Sequence, residues 1–230
     1  MQNTEALKNY LSQIGCELAD EKIACLLSFC YKVLEANKSF NLTAITDYND
    51  FLIKHVTDSL LGASEIPQNA SVCDIGSGAG FPAMPLAIAR EDITVTALDS
   101  TAKKMTFVSE SARSLGIKNL KTVAGRAEDQ KKLFCSFDVV TARAVSSLPI
   151  LLELAMPLLK VGGLALFYKT DESELAGVSN ALKTLKAEHI GTKLAALPNG
   201  DKRAILTFKK LAPTPPQYPR QYGTIKKKPL

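Results

Sequence analysis

From Ser71 the chain alternates short apolar runs with helical patterns, and this alternation constrains the fold more than any other feature. Val72 to Ile75, Thr94 to Leu98, Leu120 to Val123, Phe137 to Thr141 and Leu164 to Tyr168 read as buried strands. Thr101 to Leu115, Leu148 to Leu159 and Glu172 to Lys186 carry helical spacing. Strands that alternate with helices predict βαβ units and a mostly parallel sheet covered on both faces. Two more strand segments, His189 to Leu197 and Ala204 to Lys209, are separated only by the turn-like Pro198-Asn-Gly-Asp201. They predict an antiparallel hairpin that closes one sheet edge, seven strands in all.

Before residue 66 every periodic segment is helical. Ile23, Leu26, Leu27, Cys30, Val33 and Leu34 recur at helical spacing behind Asp20, a candidate N-cap, and the run stops near Asn37. Phe51, Leu52, Val56, Leu60 and Leu61 form a second amphipathic stretch that ends at Gly62. The expected organisation is a helical cap over 1–66, an α/β domain over 67–210, and a basic tail over 211–230. Pro213, Pro215, Pro216, Pro219 and Pro229 exclude the tail from ladders and helix interiors and predict an extended segment. A length of 230 residues with 46% hydrophobic content is enough for one full domain plus an extra element, without disulfide or metal staples.

No apolar run approaches the roughly 18–20 residues that span a bilayer, and Met1 to Tyr10 is unlike a secretory leader, so a soluble cytoplasmic protein is expected. Five cysteines, none in a CxxC pair, predict buried reduced thiols and no metal site. The net charge is +5, but it is unevenly placed. From Asp201 onward eight Lys and Arg face one Asp, whereas the preceding 200 residues carry 20 basic and 22 acidic groups. The surplus therefore belongs to the end of the chain, and it suits an acidic partner.

The segment Cys73-Asp74-Ile75-Gly76-Ser77-Gly78-Ala79-Gly80-Phe81-Pro82 follows the first strand and opens a helix. In that context glycines permit positive φ and bring backbone N–H groups close to a ligand. Asp99 ends the second strand 23 residues after Gly76. That is close to the spacing of about 20 expected of an acid that binds ribose hydroxyls, so a nucleoside-bearing cofactor is implied. The glycine spacing leaves NAD and S-adenosylmethionine both open. Because S-adenosylmethionine lacks phosphate and carries a sulfonium and an ammonium, the carboxylate of Asp74 favours it over a pyrophosphate.

Arg126, Arg143 and Lys169 end the third, fourth and fifth strands, three cations expected on one rim and suited to phosphate or base contact. The fourth strand ends in Thr141-Ala-Arg-Ala144 and lacks the Asn/Asp-Pro-Pro-aromatic tetrapeptide of exocyclic-amine methylation. Cys135 precedes that strand and is not in the Pro-Cys pair of cytosine-C5 enzymes. Neither chemistry is supported.

Taken together, several motifs make the chain resemble the small-subunit ribosomal RNA guanine-N7 methyltransferase G family, also called glucose-inhibited division protein B. They are Asn41-Leu-Thr-Ala-Ile, Lys54-His55-Val-Thr-Asp58-Ser59, Asp74 to Pro82, Leu98-Asp99-Ser100, Gly125-Arg126-Ala127-Glu128, Thr141-Ala-Arg143-Ala144 and Tyr218-Pro-Arg220. They span essentially the whole chain. Ala83 departs from the glycine that many members carry after Pro82.

The resemblance implies a Rossmann-like class I S-adenosylmethionine-dependent methyltransferase fold with an N-terminal helical extension. It implies methylation of N7 of a guanine in 16S rRNA, with the small ribosomal subunit as partner, no membrane, no metal and a monomeric enzyme. The donor positions it implies are Gly76, Gly78, Phe81, Ala127, Glu128 and Arg143, with Asp74 and Asp99 beside them. Arg143, Arg126, Asn41 and Lys169 are the residues expected to act in catalysis. His55 and Asp58 would sit in the cap near the cleft, where their i, i+3 spacing also allows a purely local pair. The basic tail would then add sequence-independent, salt-dependent affinity for RNA phosphates, and its removal would spare donor binding. Two other functions fit the same residues: a methyltransferase for another RNA, a small molecule or a protein, and a non-catalytic RNA-binding assembly factor.

Overall fold

The structure, a computed structural model, describes residues 2–230. Helices α1 (Gln2–Gln13) and α2 (Asp20–Asn37) begin the chain. A third helical segment starts as α3 (Tyr48–Phe51), widens into a π-helical stretch (Leu52–Thr57) and ends as α4 (Asp58–Leu60). Ala19 rather than Asp20 occupies the N-cap of α2. Asp20 instead opens the first turn, where its charge meets the positive end of the helix dipole.

The α/β part runs β1 (Ser71–Ile75), α5 (Ala83–Ala89), β2 (Thr94–Asp99), α6 (Ala102–Ser114), β3 (Leu120–Ala124) and β4 (Phe137–Arg143). It continues through α7 (Leu148–Ala155), β5 (Leu159–Lys169), α8 (Ser179–Leu185), β6 (Ala187–Ala196) and β7 (Lys202–Lys210) to a final helix, α9 (Tyr222–Lys227). The seven strands lie in the order β3-β2-β1-β4-β5-β7-β6. The first five are parallel, and β7 pairs antiparallel with both β5 and β6. The order reverses at β1, which pairs with β2 on one side and β4 on the other. A crevice therefore opens beyond the carboxyl ends of β1 and β4.

Burial explains the runs seen in the sequence. Val72 to Ile75 are all buried and β4 is buried along most of its length, because helices cover both faces. The edge strand β6 alternates instead. Leu7, Leu11, Phe29 and Phe51 from the first sixty residues share one apolar core with Phe81, Met84 and Val108. The helical cap is thus packed onto one sheet face and has no separate core.

Three boundaries differ from expectation. The helix after β4 stops at Ala155 and Leu159 already belongs to β5, which begins with Lys160 to Gly163 ahead of its apolar run. The segment from Glu172 divides into a 3-10 turn (Ser173–Gly177) and α8. Residues 212–230, expected as an extended tail, carry α9 with Ile225 fully buried. Cys30 and Cys73 are buried and Cys16 and Cys25 partly so, but Cys135 is exposed, which corrects the expectation of five buried thiols.

Candidate active site

The loop after β1 turns through three glycines in the left-handed region: Gly76 (φ +68°), Gly78 (φ +57°) and Gly80 (φ +100°). At Gly76 the requirement is steric as well as conformational, since a Cβ would lie 2.5 Å from Val145 Cγ2. The N–H groups of Gly76 and Ser77 donate to the Leu98 carbonyl, which locks the loop against the end of β2.

Asp74 lies beneath this loop with no exposed surface. Its carboxylate accepts from Thr141 Oγ1 at 2.9 Å and from the Ala83 N–H at 3.3 Å. Burial pushes its pKa up to about 7, and the neighbouring Ser77 and Thr141 hydroxyls, Arg143 and the Ala83 N–H pull it back only in part. Ser77 lies beside it without hydrogen-bond geometry. Asp74 therefore ties the loop to β4 and α5. It is not among the residues that line the cleft, so the argument from its charge toward a cationic ligand does not hold.

A cleft of about 310 Å³ opens above the loop, with Gly76, Gly78, Asp99, Ala127 and Glu128 on its walls. Asp99 Oδ2 accepts from the Gly78 N–H at 3.0 Å, and Oδ1 accepts from the Thr101 N–H at 2.8 Å. Each oxygen keeps a second lone pair. Glu128 is buried, and desolvation raises its pKa. Arg126 and Tyr222 stand at the same cleft, the guanidinium 4.9 Å from the ring centroid. Two carboxylates and a glycine backbone suit a ligand that presents hydroxyls and an amine edge. A nucleoside meets that description, and the cleft volume falls in the usual range for small-molecule sites.

A second cleft, about 400 Å³, lies on the other side of Ala144, with Lys54, Arg143, Lys169 and Arg203 around it. Ala144, at φ +55°, belongs to the walls of both clefts. The π-helical stretch of the cap faces this second cleft, and such turns recur at functional sites. There Arg143 Nη1 donates to the Lys54 carbonyl at 2.7 Å and to Asp58 Oδ2 at 2.9 Å. Its Nη2 lies 2.9 Å from His55 Nδ1. A guanidinium only donates, so Nδ1 accepts and the imidazole proton sits on Nε2, 2.7 Å from Thr43 Oγ1. Burial, and then Arg143, lower the His55 pKa to about 3. The other carboxylate oxygen, Asp58 Oδ1, pairs with Arg203 Nε at 3.1 Å. Cap, β4 and β7 thus meet at one buried carboxylate.

The three strand-end cations do not share one rim. Arg143 and Lys169 face the second cleft, whereas Arg126 stands at the first. Lys169 is held by the Ser146 carbonyl and Glu174, each at 2.8 Å. His55 and Asp58 do not pair with each other; both hold Arg143. Phe81 is buried in the cap core, its ring stacked on His55 at 4.8 Å, and lines neither cleft. Asn41 is exposed in the loop after α2 and also lines neither. Asp99, Gly76, Gly78, Ala127 and Glu128 come together as expected.

Sequence reasoning missed Arg203 and Tyr222. Arg203 carried a usable signal, since the first residues of an antiparallel return strand lie beside the end of β5, and Ala204 is in register with Lys169. Tyr222 carried a weaker one, an aromatic residue just beyond the Tyr218-Pro-Arg220 motif.

A family model described as rRNA small subunit methyltransferase G matches residues 22–202. A Ribosomal RNA small subunit methyltransferase G from Leuconostoc citreum is 39% identical over 235 residues, 98% of each chain. Among solved structures, a SAM-dependent methyltransferase from Aquifex aeolicus superposes with a TM-score of 0.56 at 16% identity, covering 79% of this chain and 98% of that one. The M. jannaschii TYW2 structure in complex with AdoMet also gives 0.56, at 15% identity, covering 68% of this chain and 76% of that one. At these identities the two structures show a shared fold, that of S-adenosylmethionine-dependent methyltransferases.

Proposed function

The chain belongs to the rRNA small subunit methyltransferase G family, and on that premise we propose that it transfers a methyl group from S-adenosylmethionine to N7 of a guanine in 16S rRNA. The observation that carries this reading is the meeting of two clefts at Ala144, one with glycine backbone, Asp99 and Glu128 beside Lys104 and Arg126, the other with Lys54, Arg143, Lys169 and Arg203 around Asp58. The first suits the donor and the second a polyanionic acceptor. When bound, S-adenosylmethionine supplies an electrophilic methyl group on its sulfonium. Asp99 would accept the ribose hydroxyls, and Ala127 and Glu128 would address the adenine edge.

Guanine N7 carries an in-plane lone pair and no proton, so its methylation needs no general base. The second cleft agrees with that. Both Asp58 oxygens are engaged by arginines, and His55 is neutral with both ring nitrogens hydrogen-bonded. Cys135 lies before β4, at the opposite end of a seven-residue strand from Arg143, about 20 Å away. It is remote from any C5 chemistry. Catalysis then rests on proximity and orientation, which supply roughly 7–11 kcal/mol in well-aligned reactions. Arg143 keeps its Nε–H and one Nη2 proton for guanine O6 or a phosphate, leaving N7 free to react.

The test is incubation with labelled donor and small subunits that lack the modification, followed by mapping of the methylated base. Label at guanine N7 in 16S rRNA is the expected result. Label absent from rRNA refutes the assignment, and label on an exocyclic amine refutes the absence of a base.

A further inference from the structure

We propose that the C-terminal segment 218–225 is a strap that completes the donor cleft, with Tyr222 a donor-binding residue and Arg220 and Glu153 the positioning pair that latches it down. The inference rests on the reading of the first cleft as the donor site, and it reverses the expectation that the tail is dispensable for donor binding.

The latch is built around a buried charge. Glu153, in the last turn of α7, has no exposed surface. Its carboxylate accepts three bonds, all from Arg220: the backbone N–H at 2.9 Å, Nε at 2.8 Å and Nη2 at 2.5 Å. Both guanidinium bonds engage at once, the geometry in which an arginine is hardest to replace. Once the strap lifts, Glu153 is left without a partner among the described residues, so docking tends toward all-or-none. Ile225, fully buried beside α7, adds an apolar contact on the far side of Tyr222.

Between these two anchors Tyr222 reaches the donor cleft beside Val145 and Leu154. Its ring is covered by the guanidinium of Arg126, the residue that immediately precedes Ala127 and Glu128. Asp99 assigns the ribose to the end of β2, and the residues after β3 lie beyond it, so Tyr222 and Arg126 close the cleft at its adenine end. Alanine substitution of an aromatic residue in contact with a base changes affinity by roughly 5- to 150-fold.

The experiment is titration of the full-length protein and its variants with S-adenosylhomocysteine by calorimetry, well below each protein's Tm. Tyr222→Ala is expected to weaken binding at least fivefold, whereas Tyr222→Phe, which keeps the ring, stays within about twofold of wild type. Arg220→Ala is expected to weaken binding by about tenfold or more. A double change, Arg220→Leu with Glu153→Leu, replaces the ion pair by an apolar one and is expected to recover most of the affinity. A latch that only stabilised the fold would lower Tm in Arg220→Ala and leave affinity unchanged, and that result overturns the proposal. Unchanged affinity in Tyr222→Ala overturns it as well. No binding to the wild-type protein would instead refute the donor reading of the cleft, so the two failures are distinguishable.

Discussion

Protonating His55 and deprotonating Asp74 both oppose folding, and they do so over the same pH interval. His55 stays neutral down to about 3 in the folded protein, against an ordinary value of 6.5. As pH falls below 6.5 the unfolded chain takes up a proton that the folded chain refuses, and stability is lost. Asp74 keeps its proton up to about 7, against an ordinary value of 3.8. As pH rises above 3.8 the unfolded chain releases a proton that the folded chain retains, and stability is again lost. Between pH 5 and 6.5 the two slopes have opposite sign and nearly cancel. Two variants separate them. In Asp74→Asn the histidine slope is no longer opposed by Asp74, so lowering the pH from 7 to 5 costs about 2 kcal/mol relative to the change in wild type, at roughly 1.4 kcal/mol per pH unit below 6.5. In His55→Gln the aspartate slope is no longer opposed by His55, and the same change adds about 2 kcal/mol relative to the change in wild type. The carboxamide introduced by Asp74→Asn keeps its oxygen on the Ala83 N–H and turns its NH2 toward the Thr141 hydroxyl oxygen, so any offset it introduces does not vary with pH. The low-pKa carboxylates Asp92 and Asp138 titrate below this window, and Glu128, whose pKa burial raises, adds the same slope to each profile because it is common to all three proteins. Urea unfolding at several pH values measures the slopes. An Asp74→Asn profile parallel to wild type would mean that Asp74 is ionised in the fold, and the burial argument would be wrong.

Gly76→Ala combines a left-handed φ, which costs an alanine about 1–2 kcal/mol, with a Cβ 2.5 Å from Val145 Cγ2. Donor affinity should fall at least tenfold, and adding Val145→Ala should restore part of it; full affinity in the single variant would show that the loop tolerates a side chain. Asp58→Asn removes the charge shared by Arg143 and Arg203, and because Arg143 keeps two other acceptors the cost should be about 2–3 kcal/mol, below the 3–5 typical of a broken buried pair. Transfer to rRNA should slow while S-adenosylhomocysteine binding persists, since Asp58 lines only the second cleft; loss of both would place Asp58 in the donor site. Replacing Lys226, Lys227 and Lys228 together by Ala should reduce the slope of log K against log salt for RNA binding by about 2, and an unchanged slope would leave α9 with no phosphate contact.

The parallel sheet was legible because burial on both faces writes itself as unbroken apolar runs, such as Val72 to Ile75 and Val139 to Val140. Where burial changes along one element, the pattern fails. Strand β5 opens with exposed Lys160 to Gly162, which lack the apolar signature of its second half. A helix running on to Leu159 passes through residues that are buried in the turn before the strand, and burial alone does not distinguish helix from turn. The donor loop was legible for a different reason. Glycine is the residue type demanded by φ of +57° to +100°, and Asp99 is spaced from it by the length of one βαβ step.

The second cleft was harder to read because its logic is non-local. Arg143 looked like a cation free to touch substrate, yet three of its donor bonds go to the cap at Lys54, His55 and Asp58, 85 to 89 residues earlier. The surplus at the end of the chain has a similar history. Arg203 is bound to Asp58, Arg220 to Glu153, and Lys210 is buried, donating to the carbonyls of Met156 and Leu159. Of the eight late cations only Lys202, Lys209, Lys226, Lys227 and Lys228 are exposed. Three of these five sit on α9 and its C-terminal cap, directly after the strap. A segment that composition alone makes a solvated arm is therefore anchored by its own arginine, and its lysines sit on the helix that begins with Tyr222. An RNA phosphate bound there would favour the docked strap over the free one, so RNA contact on α9 and donor retention should reinforce each other.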